Sequence, residues 1–482
     1  MARKEAAGMD TLIRGGTIVT DGLEITADLG ISKGRVSHWG GQLEASDRTE
    51  IIEAEGRYVF PGAIECCAAM NALAPESSPE LAQMETGLAA LGGVTTLIFP
   101  IYPQSGAPLG GWVASQRHAF TPHSFVDFGF HLGLTAWSDE VRRWIREAGQ
   151  CGLASIFLEV APPRDAMDCL EKTLWKIAEE TGPRQLVLLP LWDALIASAC
   201  LGDNGNANAG NSAGGAGGAG LGAGRDAGFI PAWMEGEVVE RLAAIGNSCA
   251  SRFLLRSVAS RSAVEALKRS RESGMQLLAA ASMYHLLFSS DTLPEQSNAM
   301  QPACWPPRRG KSDQSMLWFG LDEGICPIVT ANPGFSAARG MLPPATEAGD
   351  FSSFLALLWP LLHTEGVAKN RLSLGALVQA VTSEPAKLVG LYPQKGSLLI
   401  GSDADVVVFN PQVSWRVGGD APAEQEEELD LDGPAPQGPF AGRLLQGAVE
   451  HVFLRGNKIV AFGQMTTDPG NGRFLERRFQ LR

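Results

Sequence analysis

Two alternating hydrophobic periods constrain this chain more than any other feature. Apolar runs of strand length, "GVTTLIFP", "ASIFLEVAP", "QLVLLPLW", "RFLLRSVAS", "MQLLAAAS" and "ICPIVTANP", recur in order between longer helical patterns. The segment between the fourth and fifth, "AVEALKRSRESG", places its apolar residues at helical spacing and ends on a glycine. Strand–helix alternation sustained over about 300 residues predicts an α/β fold, a parallel (β/α)8 TIM barrel.

Both ends of the chain have a different texture. "TLIRGGTIVTDG" and "ADLGISKGRVSHWGG" read as hairpins turning at Gly15-Gly16 and Lys33-Gly34. Short strands return in "GSLLIGSDADVVVFNP" and "VEHVFLRGNKIVAFGQ". The two ends are expected to pair into one small discontinuous β-sandwich. Residues 1–60 and 393–482 then belong to the sandwich and 61–392 to the barrel.

Two stretches stand outside this pattern. Residues 202–224 are a Gly/Ala/Asn tract, expected to be a flexible insert. It follows "QLVLLPLW", so it leaves from the strand end where barrel enzymes keep their sites. Residues 418–438 form an acidic, proline-bearing stretch, expected to be a solvated loop. "GSDAD" at 401–405 lacks the spacing and terminal Glu of a calcium loop and reads as a turn into a strand.

Composition narrows the class of partner. A chain with 45% hydrophobic and 19% charged residues is a folded globular protein. A net charge of −14 without any basic stripe argues against nucleic acid, whose backbone calls for clustered Lys and Arg. The N-terminus has no signal-peptide core, and no run reaches the roughly 18 apolar residues of a membrane span. Eight cysteines include no CxxC pair, and Cys66-Cys67 are neighbours, which disfavours an ordinary disulfide and two-point chelation. Reduced thiols in a cytoplasmic protein are expected.

Six segments in order resemble the cyclic amidohydrolases, a family that includes dihydropyrimidinase, hydantoinase, allantoinase and dihydroorotase. "TLIRGGTIVTDG" with "YVFPGAIE" is similar to the opening strands and the Pro-Gly-x-Ile-Asp lead into the barrel. "ALGGVTTLIFP" resembles the second strand, and "PAWMEGEVVERL" the helix after the fourth. "PPRRGKSDQSMLWFGLDEG" resembles a proline-arginine loop and its helix, and "TSEPAKLVGLYPQKGSLLIGSDADVVVFNP" the closing segment. The resemblance implies a binuclear metal site at the barrel mouth. Two histidines of a His-x-His, a carboxylated lysine and two further histidines hold the metals, and an aspartate serves as base.

Carried over singly, those positions fall on Cys67 and Ala69, Phe157, Pro190, Ser257 and Ala331. None matches the family's residue. No cofactor is therefore expected, the binuclear zinc of the family being absent. Three functions remain in view: an inactive relative that binds, scaffolds or regulates a protein partner; a metal-free enzyme acting on a cyclic amide or ureide; and a sensor that binds such a ring without hydrolysing it. The resemblance also implies a homo-oligomer, dimer or tetramer.

Four residues are the candidates for a site. Cys67 reads either as a nucleophile or as filler, free cysteine packing as a small hydrophobe. His285, in "SMYHLLFSSD", is the best available base for it. Arg309 matches an arginine beside the family's active-site loop and reads either as a carboxylate or amide ligand or as a structural ion-pair partner. Asn332 reads as a ligand hydrogen bonder or as a turn residue before Pro333.

Overall fold

A computed structural model describes residues 8–68, 79–159, 170–191, 231–275, 277–291, 306–332, 352–418 and 439–478. The tract at 202–224 and, beyond Gly418, the acidic stretch lie outside the described residues.

Eight strands form one sheet in chain order: β6 (Ala63–Glu65), β7 (Val94–Ile101), β8 (Asp127–Leu134), β9 (Ser155–Leu158), β10 (Leu186–Pro190), β11 (Arg252–Val258), β12 (Leu277–Ser282) and β13 (Ile328–Thr330). Every neighbouring pair is parallel. Side-chain parity shows the barrel directly. Ile98, Phe157, Leu186, Leu188, Leu254, Ala280 and Ile328 share one apolar cluster drawn from strands all round the sheet, which is the lumen. Their sequence neighbours, such as Leu97, Ile156, Val187 and Phe253, pack instead with helix residues Trp144, Leu174, Val238 and Val264. A period of two sorts each strand into an inner and an outer face, as a barrel under a helical ring requires. The expected TIM barrel is observed.

The terminal segments supply a second, mixed sheet. Its strands are β1 (Thr11–Thr20), β2 (Leu23–Ser32), β3 (Arg35–Gly40), β4 (Glu50–Glu53), β5 (Tyr58–Pro61), β14 (Val406–Arg416), β15 (Leu444–Leu454), β16 (Asn457–Ala461) and β17 (Gln464–Met465). The antiparallel pair β5–β14 joins the two halves, with Val59 opposite Val408 and Phe60 opposite Val407. Ile13, Ile18, Leu29, Ile31, Val59, Val406, Val408 and Phe453 give this domain a core of its own.

One turn needs correction. The chain does not reverse at Gly15-Gly16: β1 runs straight through with a bulge between Ile13 and Gly16, and Gly15 supplies the φ of +68°. The hairpin turns at Asp21-Gly22, both left-handed at φ +49° and +78°. Asp-Gly is the stronger signal, because both central positions of such a turn need positive φ. The turn at Lys33-Gly34 between β2 and β3 is as expected.

The last described residues return to the barrel. β9 pairs with β8 only at Leu132–Leu134, and the tail lies against the lower half of β8. Phe128 N donates to Arg473 O at 3.0 Å and Leu475 N to Phe128 O at 2.7 Å. Arg477, fully buried, donates to Ser155 Oγ at 2.9 Å and to Phe130 O. No described helix is long and apolar enough to cross a membrane.

A buried ionic knot joins the domains. Lys395 Nζ lies 2.6 Å from Asp127 at the start of β8, 2.7 Å from Asp405 and 3.1 Å from Asp403, just before β14. Burial opposes the Lys395 charge, but the three carboxylates prevail and hold the ammonium well above the ordinary lysine range. Arg455 also pairs with Asp127. Removing one partner of a buried ion pair costs about 3–5 kcal/mol, because the others are stranded. Lys395→Met should therefore lower unfolding free energy by about that amount in urea titrations; a loss under about 1 kcal/mol, as for an exposed pair, would contradict this.

Candidate active site

The mouth is assembled around Glu65. Among the described residues no backbone ladder joins β13 to β6, and the Glu65 carboxylate spans that seam instead. Its Oε1 accepts from Cys67 N and Thr330 Oγ1, each at 2.8 Å, and its Oε2 from Ala331 N at 2.6 Å. Asn332 Nδ2 donates to Cys67 O at 2.7 Å, and Ser257 Oγ donates to Asn332 O at 3.0 Å. Three strand ends, those of β6, β11 and β13, are thereby tied together. Burial raises the Glu65 carboxyl pKa, and the bonds from Ala331, Cys67 and Thr330 oppose the rise. Ser257 sits at φ +60°, a left-handed conformation costing a non-glycine residue about 1–2 kcal/mol.

Polar groups line the mouth two residues beyond lumen positions. Arg256 follows Leu254 and is 2% exposed; its Cζ stacks 3.7 Å from the Phe157 ring centroid. Nη2 donates to Leu158 O at 3.1 Å, while Nε and Nη1 meet no acceptor among the described residues. Burial lowers the Arg256 pKa, and the nearby Glu159, Cys67 and Tyr102 oppose that. Glu159 follows Phe157; Tyr102 OH donates to its Oε2 at 2.5 Å, and its Oε1 has no hydrogen-bond partner among the described residues. Burial raises the Glu159 carboxyl pKa against the pull of Arg256 and Tyr102.

Beneath them His131 on β8 is fully buried, with Nε2 2.9 Å from Cys66 O and Nδ1 2.5 Å from Ser155 Oγ. A carbonyl can only accept, so Nε2 carries the proton and Nδ1 accepts from the Ser155 hydroxyl. Burial first, then Arg477, pulls the His131 pKa well down and keeps the ring neutral.

The four candidate residues divide. Cys67 and Asn332 are brought together at the seam. Cys67 Sγ is 4.0 Å from Cys66 Sγ, and this contact, with burial, pushes the Cys66 thiol pKa well up. His285 is turned elsewhere: Nε2 donates to Pro306 O at 2.7 Å, and burial draws its pKa down to about 4. No hydrogen bond or ring contact among the described residues links His285 to Cys67. Arg309 donates through Nε and Nη2 to Glu235 Oε1 at 2.9 and 2.7 Å. Glu235 also accepts from Ala259 N and Ser260 N, so the pair fastens the arginine loop to the turn after β11.

Tyr102, His131, Glu159 and Arg256 escaped the sequence reading. Strand parity holds the signal for two of them: in "ASIFLEVAP" and "RFLLRSVAS" the polar residue lies two places past an inward apolar one.

Comparison with known proteins follows the same geometry. Residues 328–459 match the Amidohydrolase family model. A D-hydantoinase of Ralstonia pickettii is 27% identical across 98% of this chain and 99% of its own. A D-phenylhydantoinase of Escherichia coli is 28% identical across 98% of both. The solved dihydropyrimidinase of Brevibacillus agri superposes with a TM-score of 0.79, covering 98% of this chain and 99% of that one at 24% identity. A solved D-hydantoinase reaches 0.77 at 25% identity, covering 97% and 98%. End to end, the chain is similar to hydantoinases and resembles the cyclic amidohydrolase family.

That full-length likeness corrects two expectations. An inactive chain, or one working by metal-free chemistry, is contradicted by end-to-end relatives that are named hydantoinases. The expected absence of a cofactor is contradicted as well, because this family works through binuclear metal centres. Both expectations rested on strand-end positions alone, whereas a mouth also includes residues beyond the strand ends. Of the family's ligand positions, Cys67, Phe157, Pro190, Ser257 and Ala331 are at or just past strand ends, and Ala69 lies outside the described residues. Among the described residues no three His, Cys, Asp or Glu are grouped to hold a metal ion. These residues do not fit a binuclear centre, and no step is assigned through one.

Glu65→Gln tests the seam. An amide nitrogen cannot accept, so one donor would lose its partner at about 1–3 kcal/mol. Urea unfolding should show a loss of that size; unchanged stability would mean the carboxylate does not hold the seam.

Proposed function

We propose that this chain is a cyclic amidohydrolase and opens the ring of a cyclic amide or ureide at the C-terminal mouth of its barrel. Full-length likeness to the hydantoinases carries this reading. In such a reaction water adds to a ring carbonyl carbon, the C–N bond breaks and the nitrogen takes a proton. The product is an open chain ending in a carboxylic acid.

Glu159 is placed for the proton. Its raised pKa keeps the carboxyl protonated to higher pH than usual, Tyr102 fixes one oxygen, and the other faces no partner among the described residues. As an acid it protonates the departing nitrogen; as a carboxylate it recovers a proton from the added water. Cys67 and Asn332, tied to each other, form the adjoining wall, and Arg309 with Glu235 positions the loop beyond β12. We take the protein to work in the cytoplasm as a homo-oligomer, dimer or tetramer, in keeping with its family.

Purified protein should open the ring of at least one of hydantoin, dihydrouracil, dihydroorotate and allantoin, and failure on all four would overturn the proposal. With the responsive substrate, Glu159→Gln should lower kcat by about 100-fold or more, the ordinary contribution of a positioned acid–base group. Wild-type kcat should fall as pH rises through the raised carboxyl pKa, since the protonated form acts. A Gln variant with wild-type rate and the same pH profile would remove Glu159 from the chemistry.

A further inference from the structure

We infer that Arg256 is a carboxylate-binding residue of the mouth, so that the ligand is a carboxylate-bearing cyclic amide or the ring-opened acid. This rests on the mouth being the cyclic-amide site. Arg256 is 2% exposed, yet no described carboxylate lies within ion-pair distance of it. One Nη2 bond, to Leu158 O, and the face of Phe157 hold it in place. Among the described residues Nε and Nη1 meet no acceptor for their N–H groups. A buried cation with unsatisfied donors is costly until an acceptor arrives, and an anionic acceptor offsets most of that cost.

Orientation is settled by the strand. Arg256 shares the inward parity of Leu254 and rests on the inward Phe157, so its free donors belong to the mouth. Glu159 lies near enough to influence its charge and does not neutralise it by direct contact. Hydrolysis of a neutral cyclic amide creates a carboxylate at the reacting carbon, and a cyclic amide bearing an acid group brings one already. Both sources present the same chemistry to Arg256, with planar N–H groups meeting two oxygens.

The test is calorimetric titration of full-length wild type, Arg256→Met and Arg256→Lys. The ligands are dihydrouracil, dihydroorotate, N-carbamoyl-β-alanine and succinate. Dihydroorotate or N-carbamoyl-β-alanine should bind wild type and bind Arg256→Met at least about ten-fold more weakly, as loss of a charge-assisted bond predicts. Arg256→Lys, which keeps the charge without the planar fork, should fall between them. Dihydrouracil, lacking a carboxylate, should lose less than either acid. Arg256→Met should melt no lower than wild type, because it removes an unpaired buried charge. Carboxylate affinity equal in all three proteins, or absent from wild type, would overturn the inference. Succinate bound through Arg256 with no ring compound bound or opened would uphold Arg256 and sink the cyclic-amide reading. Dihydrouracil opened while both acids ignore the substitution would do the reverse.

Discussion

A single buried carboxylate does the work of a missing ladder. The first and last barrel strands, β6 and β13, are three residues each and share no described backbone pair, and Glu65 accepts from both sides of the gap. Unpaired strand edges inside a protein leave amides that must find acceptors. A carboxylate offers more acceptor sites than any neutral side chain, which is why an acid is tolerated at 2% exposure. Its burial cost is offset by three donors, and those donors fix where Cys67, Ala331 and Asn332 stand. The mouth inherits its shape from that arrangement.

Above the seam, electrostatics rather than shape sets the character of the site. Arg256 and Glu159 are brought into the same low-dielectric space by strand parity, and burial shifts both pKa values toward the neutral forms. Groups displaced in this way mark functional sites more often than structural ones. Below, the Arg477–Ser155–His131–Cys66 chain satisfies the polar groups of the lumen floor with a neutral imidazole.

Much of the fold was legible because it is local. The period-two runs between helical patterns identify the barrel, and Lys33-Gly34 identifies one hairpin. Gly15 misled because positive φ serves a bulge as well as a turn. The tail at 473–477 leaves no local trace of its place against β8, since that contact spans more than 300 residues of sequence. Of the site, Cys67 and Asn332 were legible as strand-end positions, while His285 and Arg309 face Pro306 and Glu235. Glu159 and Arg256 lie outside the family's ligand pattern and are legible only as polar residues that continue the inward face of their strands. The ligand pattern by itself also points, mistakenly, to an inactive, metal-free chain.

Where a ligand sits decides the matter most directly. In a crystal structure of the complex with dihydroorotate, the carboxylate should meet Nη1 of Arg256 above Phe157, with the ring amide toward Glu159. A ligand lodged outside the mouth, or an Arg256 side chain turned away from it, would contradict the assignment of this site.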